Sequence, residues 1–193
     1  MIVLASASPR REVLLRALWI EHHIIPSLVD EDGPFDGTTV GYAETLALRK
    51  SAEVATRVGE GLVIGADTIV ECGGRPLGKP KDRDEACRFL RLLSGGSHLV
   101  ITGLALVRAD DAATEIGHDV TEVRMRALTE TEIDVYVQTG EPFDKAGGYA
   151  IQGAAESFID GIKGSFTNVV GLPLGRLRAL FLRFGIDPLQ RQS

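Results

Sequence analysis

The amino-acid sequence predicts an α/β fold with a mixed β-sheet. Short apolar runs that suit buried strands alternate with amphipathic helical patterns along the chain. One long hairpin, predicted over His98–Arg108 and Thr114–Arg126, interrupts this alternation and requires antiparallel pairing. The 193 residues, 44% of them hydrophobic, suit one domain, or one domain folded as two lobes around a cleft. We therefore predict a single domain over residues 1–193.

The first third of the chain predicts two strands, two helices and an acidic loop. Ser8 followed by Pro9 is typical of a helix N-cap and first turn. Val13, Leu14, Ala17 and Leu18 give that helix an apolar face. The predicted order is strand Ile2–Ala5, the helix from Pro9, strand His22–Pro26, loop Ser27–Thr38 and a long helix Thr39–Arg57.

The rest of the chain continues this pattern around the hairpin. A buried strand Leu62–Ile64 is expected to end at Gly65-Ala66-Asp67-Thr68, with a second strand at Ile69–Glu71. Asp82 predicts one helix start, and the Thr129/Glu132 capping box predicts another. After an irregular stretch at Glu141–Gly153, we expect a strand near Phe158 and a last helix with an apolar face formed by Leu177, Leu180, Phe181 and Phe184.

Composition limits the classes of partner and the compartment. The formal net charge is −6 and no basic stripe is present, so nucleic acid is not an expected partner. No apolar stretch approaches the roughly 20 residues that a bilayer span needs, so no membrane partner is expected. Cys72 and Cys87 form neither a CxxC pair nor a zinc-type spacing, which suits reduced thiols in the cytoplasm. A phosphate substrate would need a local basic site and a divalent cation.

The segment Ser6–Arg11 combines two serines, a helix start and two adjacent arginines. Arg10 and Arg11 lie at the positive end of the predicted helix dipole, where basic residues are mildly unfavourable. Free backbone N–H groups, hydroxyls and guanidinium groups together suit an anion such as a phosphate chain. The alternative is a solvated basic turn.

Two further short motifs carry charged groups. Asp67 follows an apolar strand, where a carboxylate is costly to bury unless it is paired or bound to metal. The alternative is an aspartate that caps a turn. Lys79 in Gly78-Lys79-Pro80 has its backbone restricted by the proline and suits a phosphate contact, although it also fits a surface loop.

The stretch Asp144–Gly153 is rich in glycine, which permits close backbone approach. Gln152 carries a donor and an acceptor, so it can read the edge of a base. The loop residues Asp30, Glu31 and Asp32 can offer oxygen ligands to Mg²⁺, or form a solvated charged run.

Motifs of other enzyme classes are missing from the sequence. There is no GxxxxGK[ST] phosphate loop, no strand–GxGxxG–helix unit, no GxSxG elbow and no HExxH pair. The four histidines, at positions 22, 23, 98 and 118, do not have metal-ligand spacing.

Taken together, the motifs resemble the Maf family of nucleoside triphosphate pyrophosphatases, associated with septum formation. They occur in the family's order and span nearly the whole chain. The matching segments are LASASPRR (Leu4–Arg11), GADTIV (Gly65–Val70), GKP (Gly78–Pro80), LSG (Leu93–Gly95) followed by VITGLAL, EPFDKAGGYAIQG (Glu141–Gly153) and VVGLPL (Val169–Leu174).

The resemblance implies an elongated mixed sheet flanked by helices, with two lobes around a cleft, as in the fold-related inosine triphosphatases. It also implies a homodimer, a divalent cation (Mg²⁺ or Mn²⁺) and hydrolysis of a nucleoside triphosphate between the α and β phosphates. The products would be a nucleoside monophosphate and pyrophosphate, and the role would be to clean the nucleotide pool.

Site residues follow from matching the family's motifs position by position. Asp67 is implied as the proton acceptor for water, and Lys79 joins it in the catalytic set as a triphosphate contact. Glu31, with Asp67, is implied to hold the metal. The other implied triphosphate contacts are Ser8, Arg10, Arg11 and Lys145. Arg10, Thr68 and Gln152 match the selectivity residues of the subgroup that prefers dTTP and UTP.

Two alternatives to a dTTP/UTP pyrophosphatase remain open at this point. One is a pyrophosphatase for purine or modified nucleotides. The other is a non-catalytic regulator of cell division that senses nucleotides, although such a protein would not need a water-activating acid at Asp67.

Overall fold

The computed structural model describes residues 1–31 and 37–190. In these ranges the chain forms seven strands: Ile2–Leu4 (β1), His23–Ile24 (β2), Leu62–Cys72 (β3), Arg75–Leu77 (β4), Ser97–Arg108 (β5), Thr114–Met125 (β6) and Ile159–Lys163 (β7). The α-helices there are Pro9–Arg16 (α1), Thr39–Val58 (α2), Arg83–Leu93 (α3), Glu130–Gln138 (α4), Phe166–Val170 (α5) and Leu174–Arg183 (α6). Short 3₁₀ helices cover Glu141–Asp144, Ala146–Gly148 and Ala154–Phe158.

The strands form one seven-stranded mixed sheet in the order β2-β1-β3-β5-β6-β7, with β4 paired to β3. Strand β1 runs parallel to β2 and β3. Strands β3 and β4, and strands β6 and β7, are antiparallel pairs. The predicted mixed sheet flanked by helices in an α/β fold is confirmed.

Strand β3 corrects one prediction about its length. We expected a strand that ends at Gly65–Thr68, but β3 continues without a break from Leu62 to Cys72. Asp67 therefore lies in the middle of a buried strand and not in a turn at its end. Gly65 is a packing position of this strand, because it lies against the backbone of α2.

Helix α2 lies directly against the backbones of β3 and β5. A Cβ atom added to Gly65 would be 2.1 Å from the carbonyl oxygen of Ala47. A Cβ atom added to Gly103 in β5 would be 2.3 Å from the carbonyl oxygen of Ala43. Only glycine permits this approach, because any side chain would collide with the helix backbone.

The chain divides into two compact units, Met1–Asp67, Thr102–Asp119 and Gly171–Ser193 in the first, and Thr68–Ile101 and Val120–Val170 in the second. One apolar cluster of the first unit joins residues of β1, β3 and β5 to α1 and α6, including Leu4, Ile64, Leu104, Leu15 and Phe181. The core of the second unit packs α3 and α4 with strand residues, including Leu90, Tyr136, Val70, Val100 and Val123. Each unit thus has its own apolar core. The prediction of a single domain over residues 1–193 stays a prediction.

Helix α1 turns a different face to this core than the sequence predicts. Leu15 is fully buried, together with Leu18, whereas Val13 is 65% exposed. The prediction that Val13 and Ala17 belong to the buried face is wrong, because tertiary packing buries Leu15 of this short helix and Leu18 just after its end.

Helix ends agree closely with the sequence signals. The Thr129 hydroxyl accepts from the backbone N–H of Glu132, whose carboxylate accepts from the backbone N–H of Thr129. Asp82 caps α3 by accepting from the backbone N–H of Glu85. These local bonds satisfy backbone donors that the helices leave unpaired.

None of the helices in residues 1–31 and 37–190 combines the length and the apolar character that a membrane span requires.

His98 is a buried polar residue in the core of the second unit. It is 3% exposed, and its Nε2 lies 2.6 Å from the hydroxyl oxygen of Tyr149. Burial lowers the pKa of His98 from 6.5 to about 4. The imidazole is therefore neutral in the folded protein at neutral pH, and Nε2 can accept a hydrogen bond from the Tyr149 hydroxyl.

Replacing Gly65 by alanine should lower the free energy of unfolding by about 2–3 kcal/mol, because the new methyl group overpacks the contact with Ala47. Gly175 in α6 is the matched control, since a Cβ atom there meets nothing within 4 Å. Gly175→Ala should change stability by less than about 1 kcal/mol, in the stabilising direction. Urea denaturation of both variants measures the difference. Equal effects would contradict the close packing of α2 on β3.

The buried His98 should make stability fall as the solution is acidified. The unfolded chain binds a proton at His98 below pH 6.5, whereas the folded chain does so only near pH 4. Stability from this residue is therefore present above pH 6.5 and is lost as pH falls toward 4. Between pH 7 and pH 5 the loss is about 2 kcal/mol.

Urea denaturation of the wild type and His98→Gln at pH 7 and pH 5 tests this. The stability gap between the two proteins should narrow by the stated amount at the lower pH. A gap that does not change with pH would show that His98 titrates normally in the fold.

Candidate active site

The segment before α1 holds Arg11 against the protein. Its Nε donates to the carbonyl oxygen of Gly171 at 2.8 Å, and its Nη1 donates to the Ser6 hydroxyl at 3.2 Å. Ser6 Oγ also accepts the backbone N–H of Ser8 at 3.2 Å. Arg11 is half-buried and ordered by these bonds, so the alternative of a solvated basic turn is wrong for this residue.

Ser8 is the N-cap of α1 and Pro9 is its first residue, as predicted. The Ser8 side chain makes no capping hydrogen bond to the helix backbone. The start of α1 therefore does not use the Ser8 hydroxyl to satisfy its backbone N–H groups. Arg10 follows in the first turn and is half-buried.

Asp67 is paired with a lysine that the sequence analysis did not single out. The Nζ of Lys50, on α2, lies 2.5 Å from Oδ1 of Asp67. The same Nζ lies 2.8 Å from Oε1 of Glu31. Lys50 is 6% exposed and Asp67 is 7% exposed, so this is a buried ion pair with a second, half-exposed carboxylate at its edge.

Helix α2 also holds the loop that carries Glu31. The Tyr42 hydroxyl donates to the carbonyl oxygen of Glu31 at 3.1 Å. Arg49 donates to the carbonyl oxygen of Asp30 at 3.1 Å. The loop backbone at residues 30 and 31 is thus anchored on the helix that supplies Lys50. Asp32 lies outside the described residues.

The position of Lys50 follows from the helical period. The buried face of α2 carries Ala43, Ala47 and Val54, and Lys50 lies on the same face. A lysine on an apolar helix face needs a buried partner, because an unpaired charge there is very costly. That spacing was the signal in the sequence that could have identified Lys50.

Charges around the pair are nearly balanced. Burial lowers the pKa of the Arg11 guanidinium below its ordinary value, while the negative charges of Asp67 and Glu31 raise it and the positive charge of Arg10 lowers it further. Arg10, Arg11 and Lys50 supply the positive charges, and Asp67 and Glu31 supply the negative ones. An incoming phosphate therefore meets basic groups whose charge is partly compensated by carboxylates.

The carboxylates of Glu31 and Asp67 could serve as two of the ligands of a divalent cation. Two carboxylates, Glu31 and Asp67, converge on one cationic group, the Lys50 ammonium. Mg²⁺ is often held by one or two carboxylates, with water and substrate phosphates as the other ligands. No group of three or more histidine, cysteine, aspartate or glutamate side chains in the described ranges could hold a metal alone. The donor set thus suits a metal that arrives with a phosphate substrate.

The remaining predicted site residues belong to the second unit. Thr68 is next to Asp67 in β3, and Lys79 follows β4 with an exposed side chain. Lys145 is mostly buried and donates to the carbonyl oxygen of Glu141 at 2.7 Å and to the Asp144 carboxylate. Gln152 is exposed. The backbone N–H of Gly147 donates to the carbonyl oxygen of Gly78 at 2.9 Å, which places the Lys79 and Lys145 segments side by side.

Comparison with known proteins identifies the family. A family model described as Maf, Maf-like protein, matches residues 1–184. This chain belongs to the Maf family. A dTTP/UTP pyrophosphatase from Desulforamulus reducens is 50% identical over 186 residues, covering 96% of this chain and 97% of the relative. The protein of the same name from Pelotomaculum thermopropionicum is 49% identical and covers 97% and 98%.

Two further proteins are similar to this chain, one by sequence and one by structure. A dTTP/UTP pyrophosphatase from Thermococcus gammatolerans is 47% identical over 174 residues, covering 90% of this chain and 91% of the relative. A solved dITP/XTP pyrophosphatase from Mycobacterium abscessus matches 66% of this chain and 74% of its own, with a TM-score of 0.44 and 17% identity. The family assignment stands on the sequence matches alone.

Removing the Lys50 ammonium should destabilise this Maf protein strongly. Lys50→Met keeps the length of the side chain but leaves the buried carboxylate of Asp67 without its cation. Breaking such a pair costs about 3–5 kcal/mol. Arg91→Met is the control, because Arg91 and Glu130 form an ion pair whose side chains are both largely exposed. It should change stability little.

Urea denaturation at neutral pH measures both variants. If Lys50→Met unfolds no more easily than Arg91→Met, the buried Asp67 carboxylate does not need the Lys50 ammonium as its counter-charge.

Proposed function

We propose that this protein is a nucleoside triphosphate pyrophosphatase that hydrolyses dTTP and UTP to the monophosphate and pyrophosphate, and so cleans the nucleotide pool. The observation that carries the proposal is the buried Asp67 carboxylate, held by Lys50 beside Glu31 in a Maf protein. Near-full-length relatives at 42–50% identity are named dTTP/UTP pyrophosphatases, which supports the substrate.

Asp67 is proposed as the group that orients water and accepts its proton. Water attacks the α-phosphorus, its oxygen stays on the monophosphate, and pyrophosphate leaves. A carboxylate in this role must be fixed within hydrogen-bond reach of the water. The bond from Lys50 fixes one oxygen of Asp67 and compensates its buried negative charge.

The triphosphate is proposed to contact Ser8, Arg10, Arg11, Lys79 and Lys145. Guanidinium and ammonium groups that are already placed in the protein bind a phosphate chain at a low ordering cost. Arg11 is already fixed by Gly171 and Ser6. Lys145 is held by Glu141 and Asp144, so a phosphate contact would replace its ion pair with the exposed Asp144 carboxylate.

A divalent cation, Mg²⁺ or Mn²⁺, is proposed to be held by Glu31 and Asp67 together with the substrate. When bound, it would neutralise phosphate charge and favour attack at phosphorus. In its absence the two carboxylates would repel the phosphates.

The base is proposed to be selected by Arg10, Thr68 and Gln152. Uracil and thymine present O4 and O2 acceptors and an N3–H donor, and a glutamine amide can pair with a donor and an acceptor at once. Cytosine reverses this pattern at N3 and N4. An unmet polar group in a closed pocket costs about 1–3 kcal/mol.

The protein is also proposed to be a cytoplasmic homodimer. Both cysteines, Cys72 and Cys87, are free thiols, which agrees with a reducing compartment. Sedimentation equilibrium measures the oligomeric state directly, and a monomer at micromolar concentration would overturn that part of the proposal.

Asp67→Asn should lower kcat by about 10²–10⁴-fold, because the amide cannot accept a proton from water. A pyrophosphate-release assay with dTTP measures the loss, and circular dichroism checks that the variant folds. Asp134→Asn removes an exposed carboxylate on α4 and should keep full activity. Turnover of Asp67→Asn close to that of Asp134→Asn would end the assignment of Asp67.

A panel of nucleoside triphosphates tests the substrate. With Mg²⁺ or Mn²⁺ present, kcat/KM for dTTP and UTP should exceed that for ATP, GTP and CTP by about tenfold or more. Excess chelator should abolish turnover of all five.

Preference for a purine triphosphate would refute the base selection but leave the pyrophosphatase intact. Full activity in excess chelator would remove the metal from the mechanism. No pyrophosphate from any nucleotide would refute the enzyme and favour a nucleotide sensor.

A further inference from the structure

A buried tyrosine and a glutamate form a hydrogen-bonded pair beside Gln152, in the second unit. Tyr136 lies on α4, is 2% exposed and packs edge-on against Phe158 at a centroid distance of 5.2 Å. Its hydroxyl donates to Oε1 of Glu141 at 3.0 Å. Burial raises the pKa of Tyr136, and the charge of Glu141 acts in the same direction, so the phenol keeps its proton at neutral pH.

This pair contacts the backbone on both sides of Gln152. The Tyr136 hydroxyl oxygen accepts the backbone N–H of Ala150 at 3.3 Å. Oε2 of Glu141 accepts the backbone N–H of Ala154 at 3.5 Å. The two anchor points lie two residues before and two residues after Gln152, whose own side chain is exposed.

Gly153 shows how closely the Glu141 carboxylate approaches this backbone. Its φ is +136°, and a Cβ atom there would be 2.7 Å from Oε1 of Glu141. A residue with a side chain could not keep both that backbone conformation and the carboxylate contact. The turn after Gln152 is therefore shaped around Glu141.

Glu141 also holds the neighbouring predicted phosphate contact. Its backbone carbonyl oxygen accepts from Nζ of Lys145 at 2.7 Å. One residue thus fixes a lysine through its backbone and the Gln152 segment through its side chain.

We propose that Tyr136 and Glu141 are positioning residues for base selectivity, which hold the backbone around Gln152 so that its amide meets the base in one orientation. This rests on the proposed function, in which Gln152 reads a pyrimidine. Neither residue need touch the nucleotide. Loss of the pair should leave phosphate cleavage working but blur the discrimination between bases, because a mobile amide can adapt to either hydrogen-bond pattern.

The test compares dTTP with dCTP, which differ only in the base. Tyr136→Phe removes the hydroxyl and keeps the buried ring. The ratio of kcat/KM for dTTP over dCTP should fall about fivefold, the scale of one lost hydrogen bond. Gln152→Ala should lower the ratio at least as far. The double variant should match Gln152→Ala, since the tyrosine acts only through the glutamine.

Tyr149→Phe is the matched control. This variant also loses a buried hydroxyl of the second unit, which bonds to His98. Tyr149 lies in the same loop as Gln152. Its ratio should stay at the wild-type value. Glu141→Gln is a second variant of the pair, with a similar size and without the charge. It should lower the ratio as Tyr136→Phe does, and it carries the test if Tyr136→Phe does not fold.

The outcomes separate this inference from the proposed function. If Gln152→Ala lowers the ratio but neither Tyr136→Phe nor Glu141→Gln does, only the positioning role is wrong. The role is also wrong if Tyr149→Phe has the same effect, or if Tyr136→Phe lowers the ratio further in the Gln152→Ala background. If Gln152→Ala leaves the ratio unchanged, the proposed base selection fails and the positioning role fails with it.

Discussion

The ammonium group of Lys50 is buried between the carboxylates of Asp67 and Glu31, so its charge must be balanced inside the protein. That requirement constrains the first unit, because Lys50 comes from a helix and Asp67 from a strand. The two can meet only where α2 lies very close to the sheet. Gly65 and Gly103 provide that approach, and the helix backbone at Ala43 and Ala47 lies against them. The ion pair therefore depends on the close packing of α2 against the strands.

The role proposed for Asp67 would give a reason for a charged pair where apolar packing would be easier. A buried ion pair gives little net stability compared with hydrophobic residues of similar size. It does fix the orientation of a carboxylate, which a water-activating group needs. Glu31 is held by the same helix and the same ammonium, so its carboxylate and that of Asp67 are presented together. In the second unit, Glu141 plays a comparable organising part, with Tyr136 and Lys145 bonded to one residue.

Much of the fold could be predicted from local signals in the sequence. The capping box at Thr129 and the cap at Asp82 mark helix starts by bonds within one turn, so their sequence patterns suffice. The long hairpin and α2 follow from apolar periodicity. Strand β3 was harder, because Gly65 resembles a turn residue in the sequence. A glycine is needed at position 65 because the backbone of Ala47 lies against it, and this contact exists only in the folded chain. Leu15 replaces Val13 in the core of the first unit for a similar reason.

The candidate site, like the fold, has a part that the sequence predicts and a part that only the structure shows. Single motifs such as Gly65–Thr68 or Gly78–Pro80 do not identify chemistry by themselves, and their roles were assigned through the resemblance to the Maf family. That resemblance did not predict the contacts between residues within the site. Lys50 carried a signal, a lysine on an apolar helix face, but its partners Asp67 and Glu31 appear only in three dimensions. The Tyr136–Glu141 pair gave no signal, because its bonds to Ala150 and Ala154 depend on an irregular backbone.

In the proposed reaction, water directed by Asp67 attacks the α-phosphorus of a nucleoside triphosphate. Hydrolysis of dTTP in ¹⁸O-labelled water, followed by mass spectrometry of both products, tests it most directly. The label should enter the nucleoside monophosphate, and pyrophosphate should carry none. Label in pyrophosphate, or release of labelled orthophosphate, would place the attack at another phosphorus and contradict the proposed reaction.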